Sequence, residues 1–168
     1  MSWGDVRGLL QYVPQFRGKV FVVIVDSPVP ALAEMMLNLV SLQNIGVQLV
    51  IGSTIHEHDE ILDRAVEAEL KCDHAVADLN TTPEDVCEAL GRGQAIIIDL
   101  AVQDALSREI AVFAQTIAAS KLILLKPCEQ EQLAQGAVRA ADLESMGDGQ
   151  PAILLAAAEA CRLGISRV

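Results

Sequence analysis

Aromatic and basic residues are both scarce in this sequence. Only 3% of the 168 residues are aromatic while 52% are hydrophobic, so the core must be built from Ala, Val, Ile and Leu. Such a composition suits strands and helices packed in layers. The 12 basic residues are outnumbered by 23 acidic ones, and the formal charge of −11 repels phosphate backbones and anionic membrane surfaces. We therefore expect no nucleic-acid partner and no membrane partner.

Long apolar runs and paired cysteines are also lacking. No apolar segment is long enough to span a bilayer, and the opening "MSWGDVRGLLQY" lacks the apolar core of a secretory signal, so we expect a cytoplasmic protein. No two cysteines have C-x-x-C spacing, which favours buried reduced thiols over a metal site or a disulfide framework. These cysteines are Cys72, Cys87, Cys128 and Cys161.

Glycine-rich phosphate loops are absent as well. The sequence contains no G-x-x-x-x-G-K-[ST], G-x-G-x-x-G or G-x-S-x-G motif. Residues 18–65 nevertheless have the strand, turn and helix layout that usually carries such a loop. Neither turn, "VDSPVP" nor "IGSTIHEHDE", has the glycines that would let backbone amides close on a phosphate.

Apolar periodicity predicts strands alternating with helices. Continuous apolar runs predict buried strands at 19–25, 47–52, 93–100 and 121–125, with short strands at 74–78 and 165–168. Helical spacing occurs at 5–16, 30–45, 58–70, 81–90, 104–119, 128–140 and 152–164, and Thr82 and Pro83 form a typical helix start. The pattern predicts one α/β domain over residues 1–168, a three-layer α/β/α sandwich with a mostly parallel sheet.

The last predicted strand runs to the final residue, Val168. Either the chain is cut before its natural boundary, as part of a longer protein, or this is an edge strand completed elsewhere.

Four sequence segments, in the same order as in the family, resemble the amino acid kinase family, especially its acetylglutamate kinase and N-acetylglutamate synthase branch. They are "RGLLQYVPQFRGKVFVV", "LNLVSLQNIGVQLVIG", "IAVFAQTIAASKLILL" and "PAILLAAAEACRLGISRV". The resemblance implies an amino-acid-kinase-like fold. Members of this family transfer the γ-phosphoryl group of ATP to a carboxylate or a similar acceptor, and this branch serves arginine biosynthesis.

The residues that carry the chemistry of that family are replaced here. By this resemblance, Ile24 stands where the family has a lysine at the end of its first strand. A segment with Asp26 and Pro28 stands where the family has a Gly-Gly turn. The Thr-Asp pair after the fourth strand becomes Lys126 and Pro127. Isoleucine gives an anion no useful contact, aspartate repels phosphates, and proline lacks an amide donor. The resemblance therefore implies lost kinase activity, no catalytic residue and no cofactor.

The second turn keeps groups that a ligand could use. Gly52, Ser53 and Thr54 stand where the family's "HGGGP" turn holds its acceptor, and a small anion or carboxylate is expected there, at the start of the helix that begins near His58. The alternative is that Ser53 and Thr54 only cap this helix. Lys126 is either a ligand-binding cation at the carboxyl end of a strand or a solvated side chain.

His56 and His58 flank an acidic residue, and further carboxylates follow, which raises the question of a metal site. Histidines two positions apart on a helix point away from each other, so solvated polar residues are favoured and no metal is expected. Lys121, at the start of a predicted strand, is expected to face solvent.

The leading hypothesis is a catalytically degenerate domain with a structural or regulatory role related to acetylglutamate and arginine biosynthesis. The resemblance implies a homodimer, an acetyltransferase domain in a longer chain, and an amino-acid ligand such as arginine. One alternative is a divergent active acetylglutamate kinase with Lys126 or Lys121 as its cation. The other is a non-catalytic amino-acid-binding module that uses residues 52–54.

Overall fold

The computed structural model describes residues 14–25, 29–73, 77–100, 106–125 and 152–165. Within these ranges strands and helices alternate along most of the chain. The strands are β1 (Val20–Val25), β2 (Gln48–Ser53), β3 (Ile96–Asp99) and β4 (Lys121–Leu125). The helices are α1 (Val29–Asn44), α2 (His58–Glu67), α3 (Pro83–Gly91), α4 (Leu106–Thr116) and α5 (Ala152–Arg162).

The four strands form one parallel sheet in the order β3-β2-β1-β4. Each is a short β-branched or leucine-rich run, the composition of strands that are covered on both faces. The predicted parallel sheet is confirmed. The short strand expected at 74–78 lies partly outside the described residues; of its described positions, Ala77 makes an isolated parallel bridge to Ile98.

Helices cover both faces of the sheet, because successive residues of each strand point to opposite sides. Val22, Ile24 and Ile98 belong to a buried cluster with side chains of α3, α4 and α5. Val23, Ile51 and Ile97 belong to a second buried cluster with side chains of α1 and α2. The arrangement is the predicted three-layer α/β/α sandwich.

The predicted start of α3 is confirmed. Thr82 is the N-cap, its side chain accepts a hydrogen bond from the backbone N–H of Asp85, and Pro83 occupies the first turn. The helix expected at 5–16 falls mostly outside the described residues, although residues 14–16 are helical. The expected helix at 128–140 and the expected strand at 165–168 also lie outside them, apart from the buried Ile165.

The prediction of buried thiols is correct for Cys72 and wrong for two other cysteines. Cys72 is buried, and the loss of solvent around it, followed by the charge of Asp73, raises the pKa of its thiol. Cys87 and Cys161 are exposed free thiols on α3 and α5, because they lie outside the apolar stripe of each helix. Cys128 lies outside the described residues.

Lys121 is partly buried, contrary to the prediction that it faces solvent. Its ammonium nitrogen lies 5.1 Å from the ring centroid of Phe16 and 5.1 Å from that of Phe21. The two rings meet edge to face with centroids 6.0 Å apart. Lys121 is thus held by cation–π contacts with both rings, at the amino end of β4.

None of the helices in the described ranges is both long and apolar enough to cross a membrane.

Candidate functional site

Parallel pairing brings the carboxyl ends of all four strands to one edge of the sheet. In register, Ser53 at the end of β2 lies beside Val25 of β1 and Asp99 of β3, and Val25 lies beside Leu125 of β4. Ligands of open α/β sheets bind outside this edge. The segments that follow β1 and β4 lie outside the described residues, so the described part of this edge is the turn from β2 into α2.

Ile24, which the sequence resemblance places where the amino acid kinase family has a lysine, is a core residue. Its side chain is 1% exposed and packs in the cluster formed with α3, α4 and α5. A charged group here would lose its hydration without a partner, at a cost of several kcal/mol. Asp26, Pro28 and Pro127, the other replacements, lie outside the described residues.

Gly52 is surrounded by core side chains. A β-carbon at this position would lie 2.6 Å from Leu100 Cδ1 and 2.9 Å from Ile98 Cγ1. Any side chain would therefore displace these two residues, which form part of the core cluster under α3 and α4. Close packing of β2 against the end of β3 accounts for this glycine without any ligand.

Ser53 ties the turn to the neighbouring strand. Its side chain is buried, and Oγ donates a hydrogen bond of 3.0 Å to the carbonyl oxygen of Val25. The same Oγ accepts hydrogen bonds from the backbone N–H groups of Ile55, at 3.2 Å, and His56, at 2.9 Å. The backbone N–H of Thr54 donates to the Val25 carbonyl oxygen at 3.1 Å. The amides of residues 54–56 thus already donate within the protein.

Ser53 does not cap α2, contrary to the alternative expected from the sequence. The N-cap residue is Glu57, which makes no side-chain capping bond, and Ser53 caps the turn before the helix instead. A ligand site at Gly52, Ser53 and Thr54 stays a prediction. Lys126, the fourth predicted site residue, lies outside the described residues.

The two histidines are buried, contrary to the prediction that they are solvated. His56 is 6% exposed and His58 is 8% exposed. His56 Nδ1 lies 3.0 Å from Glu60 Oε2, one helical turn further along the chain. The prediction fails because His56 precedes α2 and folds back over its first turn, while His58 is on the buried face of the helix with Ile61.

His58 contacts the acidic residue that follows it in the sequence. Its Nδ1 lies 3.3 Å from Asp59 Oδ1. Nε2 is buried and has no hydrogen-bond partner in the part of the chain that the structure describes. A buried polar atom without a partner costs about 1–3 kcal/mol, which makes it unusual in a folded protein.

Negative charge dominates the described part of this edge of the sheet. Glu57, Asp59 and Glu60 lie in the turn and the first turn of α2, and Asp99 ends β3. Among the described strand ends there is no lysine or arginine. Lys121 starts β4 and is about 13 Å from the end of that strand, at about 3.3 Å per residue, so it belongs to the opposite edge.

The described ranges contain no group of three or more His, Cys, Asp and Glu side chains with the geometry of a metal site. An acidic residue contacts one ring nitrogen of each histidine, at i+4 for His56 and at i+1 for His58.

Comparison with solved structures shows a fold shared over nearly the whole chain. Residues covering 98% of this chain superpose on N-acetylglutamate synthase from Neisseria gonorrhoeae, a structure complexed with coenzyme A and L-arginine, with a TM-score of 0.73 and 13% sequence identity. The chain spans 59% of the length of that synthase chain. No family model matches the sequence, and neither does any curated protein. At this identity the similarity shows the fold alone.

Proposed function

We propose that this chain is a kinase-like domain of the amino acid kinase family that has lost phosphoryl transfer and serves as a regulatory, amino-acid-binding domain related to arginine biosynthesis. The observation that carries the proposal is the burial of Ile24 in the core, at the position where the resemblance places the family's lysine. The fold similarity to a synthase crystallised with L-arginine supports the choice of an amino-acid ligand.

The charge at the carboxyl edge supports the loss of catalysis. Phosphoryl transfer is accelerated chiefly by cations and amides that stabilise the charge on the migrating group. The described strand ends carry Asp99 and no cation, and the amides of Thr54, Ile55 and His56 donate to protein oxygens. An active kinase that relies on Lys121 is disfavoured because this residue lies at the other edge and contacts two aromatic rings.

The assembly is part of the same proposal. We propose one domain over residues 1–168 that works as a homodimer, beside an acetyltransferase domain in a longer protein, in the cytoplasm. The coverage of 59% of the synthase chain supports a domain that corresponds to part of such a protein.

A thermal-shift experiment with L-arginine, L-glutamate, N-acetyl-L-glutamate and MgATP tests the proposal. A ligand that binds the folded state raises the melting temperature by mass action, by an amount that grows with its concentration over Kd. The proposed function predicts stabilisation by at least one amino acid and none by MgATP. Stabilisation by MgATP together with N-acetyl-L-glutamate would favour the divergent kinase, and no shift with any of the four would contradict ligand binding.

A further inference from the structure

We propose that copies of this chain associate head to tail, with the basic end of one sheet against the acidic end of the next. The basic end consists of Arg17, Lys19 and Lys121. The acidic end consists of Glu57, Asp59, Asp78 and Glu84. The inference goes beyond the proposed function, which depends on ligand binding and not on this contact.

Three segments of the chain meet at the amino end of β1, β2 and β4. The backbone N–H of Gly18 donates to the carbonyl oxygen of Gly46 at 2.7 Å, and that of Ser120 donates to Val20 at 2.8 Å. The segments are residues 14–20, 44–48 and 118–121. They contain the three cations of the basic end and no aspartate or glutamate. In a chain with a formal charge of −11, this end of the sheet is therefore locally positive.

The cations of the basic end make no ion pair with a carboxylate in the described ranges, whereas four arginines elsewhere do. Those arginines are Arg64, Arg92, Arg108 and Arg162. The stem of Arg17 packs on Gly46, where a β-carbon would lie 2.9 Å from its Cγ. Lys121 Nζ lies 5.1 Å from the ring centroid of Phe16, the residue before Arg17. Like charges thus gather around one turn, and an anionic partner would relieve their repulsion.

The opposite end of the sheet carries exposed carboxylates. Glu57 and Asp59 lie at the start of α2, and Glu84 lies in the first turn of α3. Asp78 follows the residue that makes the isolated bridge to β3. β1 has six residues, so about 20 Å separates the two ends at about 3.3 Å per residue. The opposite charges cannot pair within one chain, but they can pair between two copies.

Charge also sets the strength and the salt dependence of the contact. An exposed ion pair strengthens an equilibrium by no more than about fivefold, so we expect weak association. Salt should weaken a contact between opposite charges. It should strengthen association through any other surface, because copies that each carry a charge of −11 repel one another. The two ends are different patches, so the contact is heterologous and can add further copies.

Zero-length cross-linking of mixed ¹⁴N- and ¹⁵N-labelled chains tests the inference. A carbodiimide joins a lysine amine to a carboxylate only where the two are in contact. We expect isotopically mixed links from Lys19 to Glu57 or Asp59 at low salt. They should disappear in about 1 M sodium chloride, where the screening length is about 3 Å. The absence of mixed links at low salt, or mixed links from Lys19 only to other carboxylates, would overturn the inference.

Sedimentation velocity of charge-reversal variants supplies the second readout. Arg17→Glu should weaken association at low salt about tenfold, because it replaces attraction by repulsion. Arg108→Glu makes the same charge change on α4, where the side chain is 82% exposed, and should associate as the wild type does. Glu57→Lys alters the acidic end. A mixture of Arg17→Glu with Glu57→Lys should associate more than either variant alone, because each keeps one unaltered end.

Association that rises with salt, equal effects of Arg17→Glu and Arg108→Glu, or a mixture no better than its components would each contradict the head-to-tail contact. A homodimer through another surface would persist in all the variants and is thereby distinguished. Cross-linking of the wild type needs no substitution, so it decides if a variant does not fold. The melting temperature with amino acids tests the proposed function separately and does not depend on these outcomes.

Discussion

Gly52 packs so closely against Leu100 that a β-carbon on this glycine would lie 2.6 Å from Leu100 Cδ1. The strand that leads into the candidate site is therefore held in place by core packing. The side chains of Ile98, in β3, and of Leu100, which follows β3, explain why this position is a glycine.

Gly52→Ala should destabilise the fold by about 1–3 kcal/mol, because the added methyl group overpacks the core against Ile98 and Leu100. Gly91→Ala is the matched control, since nothing lies within 4 Å of a β-carbon at that helical position. The control should be neutral or more stable by up to about 1 kcal/mol. Urea unfolding measures both free energies, and equal stability of the two variants would contradict the packing account.

Ser53→Ala should lower the free energy of unfolding by about 1–3 kcal/mol. The substitution leaves the buried N–H of His56 and the partly buried N–H of Ile55 without their acceptor and takes a donor from the Val25 carbonyl. Ser41→Ala provides the comparison, because the Ser41 hydroxyl is exposed and only donates to Leu37 within α1. A loss no larger than that of the control, again from urea unfolding, would show that the turn does not depend on the hydroxyl.

Lys121→Gln should cost about 0.5–1 kcal/mol of stability through the lost contacts with Phe16 and Phe21. Lys71→Gln removes the same charge from an exposed side chain and should have almost no effect. The difference between the unfolding free energies of the two variants isolates the aromatic contact. If the two losses are equal, Lys121 contributes only its charge.

Cys72 should resist alkylation by iodoacetamide in the folded protein, whereas Cys87 and Cys161 react. Burial raises the pKa of the Cys72 thiol, so less of it is thiolate at a given pH. Because the folded state favours the neutral thiol, the contribution of Cys72 to stability is fully present below about pH 8.5 and is lost as the pH rises further. Mass spectrometry of labelled peptides gives the rates, and labelling of Cys72 as fast as Cys87 would contradict its burial.

The layers and the strands could be predicted because their signal is local. Runs such as residues 19–25 and 121–125 are apolar on both faces, and Thr82 with Pro83 marks a helix start by composition alone. Cation–π contacts such as that of Lys121 with Phe21 depend on strand register, which brings together residues 100 positions apart. No local pattern specifies them.

The ligand site expected at the turn after β2 stays a prediction. The sequence could not give the role of each residue in this turn, because that role depends on neighbours from other strands. Gly52 is explained by Leu100, and Ser53 by the Val25 carbonyl. The sequence predicted His58 to be a solvated polar residue at a helix start. It is buried because α2 leaves the turn in a direction that packs this face of the helix on the sheet.

The most direct test of the central claim is an assay of phosphoryl transfer from radiolabelled MgATP to N-acetyl-L-glutamate by the purified chain. Ile24 in the core and the acidic strand ends predict no labelled product above a blank without protein. Product that forms in proportion to the amount of protein, over many turnovers, would show an active kinase and contradict the account.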